Sequence, residues 1–167
     1  MTGRSTTPVT ATHMVMQVTS VVDAIQPVSC CSAFYEQDWV RHLAEDIFHP
    51  GGEELTQKTI AAMNLQPGAS IADLGCGTGT SALILAAEPG LNINAIDISA
   101  DNIRRAQDRL SAANRAPGNV RFQQADAHEL PFEDAEFDGV LAECTFSLFV
   151  NQQAVLAEIK RVLKPNG

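Results

Sequence analysis

The sequence predicts an α/β fold in which helices cover both faces of a parallel sheet. From residue 70 onward, short apolar segments alternate with helical segments, which is typical of right-handed βαβ units. The turn from the first strand to the next helix has glycine at every second position, from Gly75 to Gly79. Ligands of such sheets bind beyond the carboxyl ends of the strands. We therefore expect the functional site at this turn.

Composition and charge narrow the class of protein. The 167 residues are 45% hydrophobic and 19% charged, with a net charge of −9, so the chain is an ordinary globular protein. Nucleic acid and anionic membranes are not expected as partners, because phosphate contacts need Lys and Arg. We interpret Arg104, Arg105 and Arg109 as a solvated helix face. No apolar run approaches the roughly 18 residues of a membrane span.

Residues 1–33 are predicted to form a poorly ordered leader. Their apolar residues are interrupted by Thr, Gln and Ser, so the compact apolar block of a secretory signal is missing. We expect a cytoplasmic protein, with a Ser/Thr-rich organellar transit peptide as the alternative. The four cysteines, Cys30, Cys31, Cys76 and Cys144, lack the spacing of a structural zinc site, so no metal site is predicted. Free thiols fit a reducing compartment.

Two amino-terminal helices are predicted before the sheet. Tyr35, Trp39 and two further apolar residues recur every fourth position, which predicts a helix from Phe34 to Phe48. His49 and the Pro-Gly-Gly that follows it end this helix. A second helix is expected from Glu53 to Asn64, with acidic residues at its start as the helix dipole prefers.

The sheet is predicted to contain four strands, the last of them apolar enough to be buried on both faces. The expected strands are Ser70–Leu74, Asn92–Ile98, Val120–Gln124 and Phe137–Ala142. The expected helices are Thr80–Ala87, a helix capped by Ser99 that ends near Asn114, and Gln153–Leu163. An acidic loop, Pro131–Glu136, precedes the fourth strand.

Acidic residues at the strand ends indicate a nucleotide-like ligand. Asp97 ends the second strand, where a carboxylate can accept hydrogen bonds from ribose hydroxyls; the alternative is a charge at a helix N-terminus. Asp126 ends the third strand beside Ala127 and is placed to accept from an adenine amine, with a capping role as the alternative. Thr80 stands where the dinucleotide fingerprint has Gly or Ala, which disfavours NAD.

Residues 34–167 resemble a class I methyltransferase that uses S-adenosyl-L-methionine. The resemblance is carried by Asp73-Leu74-Gly75-Cys76-Gly77-Thr78-Gly79, Ala95-Ile96-Asp97-Ile98-Ser99, Ala125-Asp126-Ala127, Phe137-Asp138-Gly139-Val140 and Arg161-Val162-Leu163-Lys164-Pro165. It implies a Rossmann-like fold with amino-terminal helices at 34–66 and cofactor-binding βα units at 68–167.

The resemblance also implies the cofactor site. The glycine turn would lie close to the methionine part of S-adenosylmethionine, Asp97 would hold the ribose and Asp126 the adenine. The full implied set is Asp73, Gly75, Cys76, Gly77, Gly79, Asp97, Ile98, Asp126, Ala127 and Glu143. The chemistry implied is in-line methyl transfer to a small molecule, in which the protein mainly aligns the reactants and removes water. No catalytic acid or base is identified.

The methyl acceptor is expected near Cys144 and under the first amino-terminal helix, with Tyr35, Trp39 and His49 as candidate substrate contacts. The alternatives are helix packing for Tyr35 and Trp39, and a core or surface histidine for His49. Phe137–Gly167 is also similar to arsenite methyltransferases, in which a cysteine after the fourth strand binds the metalloid. A soft thiolate suits trivalent arsenic. The alternative is that Cys144 is buried and inert.

We expect the sheet to be incomplete at its carboxy-terminal end, because members of the family continue after this turn into three more strands. The fourth strand would then be an apolar edge. The alternatives are that the chain is a fragment, or that a homodimer partner or a complementing chain covers this edge. The hypotheses are therefore an active small-molecule methyltransferase and a non-catalytic, partner-dependent half-domain. An NAD-dependent oxidoreductase is less favoured.

Overall fold

The computed structural model describes residues 52–88, 90–113 and 120–167. The predicted leader and the predicted helix Phe34–Phe48 lie outside these residues, as do Tyr35, Trp39 and His49.

The sheet has four parallel strands in the order β3-β2-β1-β4. They are β1 (Ser70–Leu74), β2 (Asn92–Asp97), β3 (Val120–Gln124) and β4 (Gly139–Leu141). The predicted bounds of β1 and β3 are confirmed, and β2 ends one residue early. The prediction of a fourth strand over Phe137–Ala142 is too long. Phe137 instead bonds to the end of the last helix, since its N–H donates to Val162 O at 2.9 Å and its carbonyl accepts from Lys164 N at 2.9 Å.

Four α-helices accompany the strands in the described ranges. They are α1 (Gly52–Met63), α2 (Thr80–Leu85), α3 (Ala100–Ala112) and α4 (Gln152–Val162), with a 3-10 turn at Phe146–Leu148 between β4 and α4. The predicted cap of α3 is confirmed, since Ser99 Oγ accepts from Asn102 N. The predicted α2 was two residues too long. None of the described helices has the length and apolar character of a membrane-crossing segment.

Apolar side chains lie on both faces of the sheet. One cluster packs β1 to β3 against α1, α2 and α3; its members include Ile60, Ile71, Leu85, Ile93, Ile103 and Val120. The second packs the opposite face against α4; its members include Ala72, Leu74, Ile96, Phe137 and Val162. The predicted arrangement of helices on both faces is confirmed. Because the strands are parallel, their carboxyl ends all lie at one rim of the sheet, between the two helix layers.

Strand β4 lies at an edge, pairing with β1 alone among the described strands. Its position beside β1 is fixed by Asp138, whose Oδ2 accepts from Ser70 N at 2.8 Å and whose two oxygens each accept from Lys164 Nζ at 2.8 Å. The bonds from Lys164 and Ser70 lower the pKa of Asp138. The first residues of β1 and β4 are thereby held in register, so the loops that follow both strands meet at the same rim.

Candidate functional site

The glycine loop, residues 75–79, follows β1 and is held by the end of β2. The N–H groups of Gly75 and Cys76 both donate to the carbonyl of Ile96, at 2.8 and 2.9 Å, and Gly79 N donates to Cys76 O at 2.9 Å. Gly75 has φ of 71°, and a Cβ built on it would overlap Thr145 Oγ1 and lie 2.8 Å from Thr145 Cβ. Only glycine fits here, because the loop passes directly against the segment that follows β4.

Two other glycines of the loop have different surroundings. A Cβ on Gly79 would lie 2.8 Å from the ring of Phe122 and 3.0 Å from Ala106 Cβ. Gly79 is therefore needed where the loop packs on β3 and α3. A Cβ on Gly77 would meet no heavy atom of the described residues within 4 Å. Backbone at Gly77 thus borders open space, where a ligand can lie close to the chain.

Asp97, at the end of β2, connects the glycine loop to α3. Its Oδ2 accepts from Gly77 N at 2.8 Å, and its Oδ1 accepts from Ser99 N at 2.8 Å and from Asn102 Nδ2 at 3.3 Å. The side chain is buried. Asp97 therefore also acts as the negative charge at the N-terminus of α3, which was the alternative prediction. Because its donors fix the carboxylate of Asp97, that carboxylate is oriented for further hydrogen bonds.

Asp73 lies in β1 beneath the glycine loop and is 2% exposed. Its Oδ2 has no hydrogen-bond partner within the described part of the chain. Burial raises the pKa of Asp73 to about 7, with further contributions from the nearby charges of Glu143 and Asp97. A buried polar atom without a partner is costly, and this one lies among like charges. The site therefore favours a cationic ligand.

Glu143, just after β4, joins α1 and α2 to the site. Its Oε2 accepts from Thr56 Oγ1 at 2.9 Å and from Ser81 Oγ at 2.6 Å. Thr56 is fully buried, so this contact lies between α1 and the rim of the sheet. The sequence placed Glu143 in the site but gave no sign of these two partners.

Asp126 follows β3 and is paired with a histidine that sequence reasoning missed. Its Oδ1 accepts from His128 N at 2.9 Å and contacts His128 Nδ1 at 2.6 Å. Burial alone would raise the pKa of Asp126, but the two bonds from His128 lower it below its ordinary value. The backbone N–H of Asn151 donates to His128 Nε2 at 3.4 Å, so Nδ1 carries the proton.

The residues beside these two strand ends differ in exposure. Ala127 is buried next to Asp126, whereas Ile98, next to Asp97, is 41% exposed. An exposed apolar side chain at the site rim is available to a ligand. The predicted ribose and adenine residues thus lie on neighbouring strands, as expected from the strand order β3-β2-β1.

The interpretation of Cys144 as a buried thiol is wrong. Cys144 is exposed and has φ of 54°, because the chain turns sharply after β4 to bring Thr145 against Gly75. Cys76 is buried, and burial raises the pKa of its thiol. Among the described residues, no group of three His, Cys, Asp or Glu side chains is arranged to hold a metal ion.

An aromatic group lies beyond Cys144. The rings of Phe146 and Phe149 meet edge to face at 5.9 Å, and Phe149 meets the ring of His128 at 6.0 Å. The segment after β4 therefore contacts the segment after β3 through aromatic edges, which encloses the rim of the site on that side.

Arg109 does not belong to the solvated basic face that the sequence predicts. Arg104 and Arg105 do, since both pair with Asp101. Arg109 Nη1 instead donates to Thr78 Oγ1 at 2.9 Å and to Thr80 Oγ1 at 3.1 Å. A signal was present: Arg109 has no acidic residue three or four positions away on either side, so no helical ion pair was available to it.

Comparison with known proteins gives one consistent family. The profile of a methyltransferase domain matches residues 65–167. O-methyltransferase resE of Aspergillus sclerotiorum is 35% identical over 129 residues, which cover 77% of this chain and 48% of that protein. Other similar proteins also carry the name O-methyltransferase.

Solved structures agree on the fold. The [4+2]-cyclase SpnF is 31% identical with a TM-score of 0.65, covering 68% of this chain and 41% of that one. An S-adenosyl-L-methionine-dependent methyltransferase of Methanococcus maripaludis has a TM-score of 0.68 at 23% identity, covering 77% and 57%. The chain spans about half the length of the curated relatives that it matches.

Proposed function

The chain belongs to the class I S-adenosylmethionine-dependent methyltransferases, and from that premise we propose that it serves methyl transfer to a hydroxyl group of a small molecule. S-adenosyl-L-methionine is the cofactor of this family. The proposal rests on one observation at the glycine loop. The backbone of Gly77 borders space that the described residues leave open, and the N–H of Gly77 donates to Asp97. A hydroxyl acceptor is favoured by the names of the similar O-methyltransferases.

The chemistry of the site fits the cofactor. S-adenosylmethionine carries two positive charges, on its sulfonium and its ammonium group, and one carboxylate. Asp73 Oδ2, which has no hydrogen-bond partner among the described residues, lies near the carboxylates of Glu143 and Asp97, which suits a cation. The open side of Gly77 lets a ligand approach the backbone without meeting a side chain.

We assign the parts of the cofactor to the residues as follows. The glycine loop with Asp73, Cys76 and Glu143 would hold the methionine part. Asp97 and Ile98 would hold the ribose, through the carboxylate and the exposed apolar side chain. Asp126 and Ala127 would hold the adenine. Asp126 Oδ1 is engaged by His128, so the amine of the adenine would bond to Oδ2.

When bound, S-adenosylmethionine would supply a methyl carbon on a sulfonium: in-line transfer would form a C–O bond with the acceptor hydroxyl, break the methyl–sulfur bond to leave S-adenosylhomocysteine, and release the hydroxyl proton. The chain's own residues would bind the cofactor and the acceptor, orient them and exclude water. These are the contributions that such a transfer needs. Backbone N–H groups fixed by Ile96 and Asp97 keep the loop in one conformation.

We propose Cys144 as a contact of the acceptor, because it is exposed beside Thr145 of the site. Tyr35, Trp39 and His49 stay predictions.

A second candidate is a partner-dependent cofactor-binding half-domain. It is supported by the edge position of β4 among the described strands. In this version a second copy or a complementing chain covers β4. Light scattering during gel filtration, with a methylation assay on each fraction, separates the candidates: an active monomer would refute the need for a partner.

Both candidate functions require the chain to bind S-adenosylmethionine. Calorimetry with S-adenosylhomocysteine, S-adenosylmethionine and NADH tests this binding. We expect both adenosyl ligands to bind and NADH not to bind. Asp97→Ala and the milder Asp97→Asn should weaken binding while the chain stays folded. Asp108→Ala is the matched control, since Asp108 is an exposed acid on α3 that pairs with Arg104. Binding of NADH alone would favour an oxidoreductase, and unchanged affinity of both Asp97 variants would refute the ribose assignment.

A further inference from the structure

We propose that Arg109 is a positioning residue that holds the glycine loop in its cofactor-binding conformation. The inference rests on the proposed function, because it concerns how tightly the loop binds the methionine part of the cofactor. Arg109 lies in the last turn of α3, and its contacts are with the loop and with the first residue of α2.

The contacts of Arg109 fall on the part of the loop that β2 does not hold. Gly75, Cys76 and Gly77 are bonded to Ile96 and Asp97 at the end of β2. Beyond Gly77, Arg109 Nη1 reaches the hydroxyls of Thr78 and Thr80 and the carbonyl of Thr78, the last at 3.5 Å. Thr78 is buried. One nitrogen thus bridges the residues on both sides of Gly79.

Helix α3 therefore contacts the site at both of its ends. At its start, Ser99 N and Asn102 Nδ2 donate to Asp97. At its end, Arg109 donates to Thr78 and Thr80. The helix between them is a rigid element, so it fixes the distance between the ribose carboxylate and the glycine loop. A displacement of the loop away from α3 would change the relative placement of the two ligand-binding groups.

The charge of Arg109 also suits this position. In the part of the chain that the structure describes, Arg109 makes no ion pair, whereas Arg104, five residues earlier, pairs with Asp101 and Asp108. Its donors are bound by hydroxyl and carbonyl oxygens of the loop. All three contacts come from Nη1, whose two N–H groups are fixed in the guanidinium plane, whereas an ammonium group rotates freely about its bond.

The test compares three variants of the full chain by calorimetry with S-adenosylhomocysteine and with 5′-methylthioadenosine. Arg109→Met removes the donors and keeps the aliphatic stem, Arg109→Lys restores the charge and one donor group, and Arg104→Met is the matched control on the exposed face. Circular dichroism and thermal unfolding report whether each variant is folded.

We expect Arg109→Met to weaken S-adenosylhomocysteine about tenfold, equivalent to about 1.4 kcal/mol. Arg109→Lys should recover part of this loss and Arg104→Met should change affinity less than about twofold. Affinity for 5′-methylthioadenosine should change little, because that ligand lacks the amino-acid part. A purely structural role would weaken both ligands alike, and that result would overturn the proposal.

A second variant, Thr78→Val, keeps the test decisive if Arg109→Met is poorly folded: it should weaken S-adenosylhomocysteine and leave 5′-methylthioadenosine nearly unchanged, and equal losses for the two ligands would overturn the proposal. Thr78→Val removes one acceptor and leaves Arg109 in place. Where Arg109→Met is folded, the losses in Thr78→Val and Arg109→Met should not add in the double variant, since they share one contact; full additivity would overturn the proposal. Failure of the unmodified chain to bind S-adenosylhomocysteine would overturn the proposed function itself, whereas normal binding with Arg109→Met unchanged would overturn only the role of Arg109.

Discussion

Thr56 Oγ1 donates to Glu143 Oε2 at 2.9 Å, although 87 residues separate them in the sequence. The contact joins α1 to the residue that follows β4, and Ser81 of α2 donates to the same oxygen. Three segments that are distant in the sequence therefore meet at one carboxylate. This meeting point ties the helix before the sheet directly to the proposed cofactor site.

Thr56→Val removes that donor without changing the shape of the side chain. We expect the free energy of unfolding to fall by about 1 kcal/mol, because Glu143 loses one of its donors at a partly buried position. Urea unfolding measures the loss. Thr59→Val is the control: within the described residues its hydroxyl bonds to Leu55 O of the same helix, so a change within about 0.5 kcal/mol is expected. Equal losses in the two variants would contradict the importance of the Glu143 contact.

Asp73 should make the fold less stable as the pH rises toward 7. Its folded pKa, about 7, lies above the ordinary aspartate value of 3.8, so between these values the folded state holds a proton that the unfolded state has lost. Stability then falls by up to about 1.4 kcal/mol per pH unit. Unfolding measured from pH 5 to pH 8 should show this slope in the wild type.

Asp73→Asn is the control for this slope, because it keeps the shape and removes the titration. The pKa values of Asp138 and Glu158 are lowered. The stability that these two carboxylates contribute is therefore lost only on acidification, at pH values below this window. The stability of the wild type relative to Asp73→Asn should therefore fall from pH 5 to pH 7. A difference that is constant with pH would show that Asp73 ionises normally.

Cofactor binding should release a proton from Asp73. A cation next to the carboxylate favours its charged form and lowers its pKa, so near pH 7 the binding of S-adenosylmethionine should release about half a proton. Calorimetry in buffers of different ionisation enthalpy measures this number. Cys76, with a pKa raised by burial, stays protonated. Release that persists in Asp73→Asn would assign the proton to another group.

Gly75→Ala and Gly77→Ala should separate folding from binding. Both glycines have positive φ, 71° and 54°, so alanine costs about 1–2 kcal/mol at each. Only at Gly75 would the new Cβ also overlap Thr145. Gly75→Ala should therefore lower stability more than Gly77→Ala, as measured in urea. Gly77→Ala should lose affinity for S-adenosylhomocysteine, because its methyl group enters the open space. Unchanged affinity there would place the ligand elsewhere.

The strands and caps were predictable because their signals are local. Apolar periodicity set β1 and β3 at their observed bounds, and Ser99 caps α3 as a serine before a helical stripe should. The length of β4 was not predictable from the same signals. Phe137 is apolar and next to a strand, but its backbone bonds to Val162 and Lys164, and nothing in the spacing reveals that competition.

The site was predictable in its strand-end residues and not in the side chains that connect them. Parallel strands bring their carboxyl ends together, so Asp97 and Asp126 could be placed in advance. The contacts of Arg109 with Thr78 and of His128 with Asp126 depend on side-chain directions between separate elements. Arg109 was misassigned for this reason, since a charged residue on an amphipathic helix usually faces solvent.

The strand order implies a sequence of events in folding. At the start of β1, 24 residues separate Gly68 from its partner Asn92, whereas 68 separate Ser70 from Asp138. Loop-closure entropy rises with the logarithm of length, so the second pairing costs about 1 kcal/mol more. We expect β1 and β2 to pair early and β4 to dock late. The ribose carboxylate and the glycine loop would then form together first, and the acidic group around Asp73 would be completed only when Glu143 arrives.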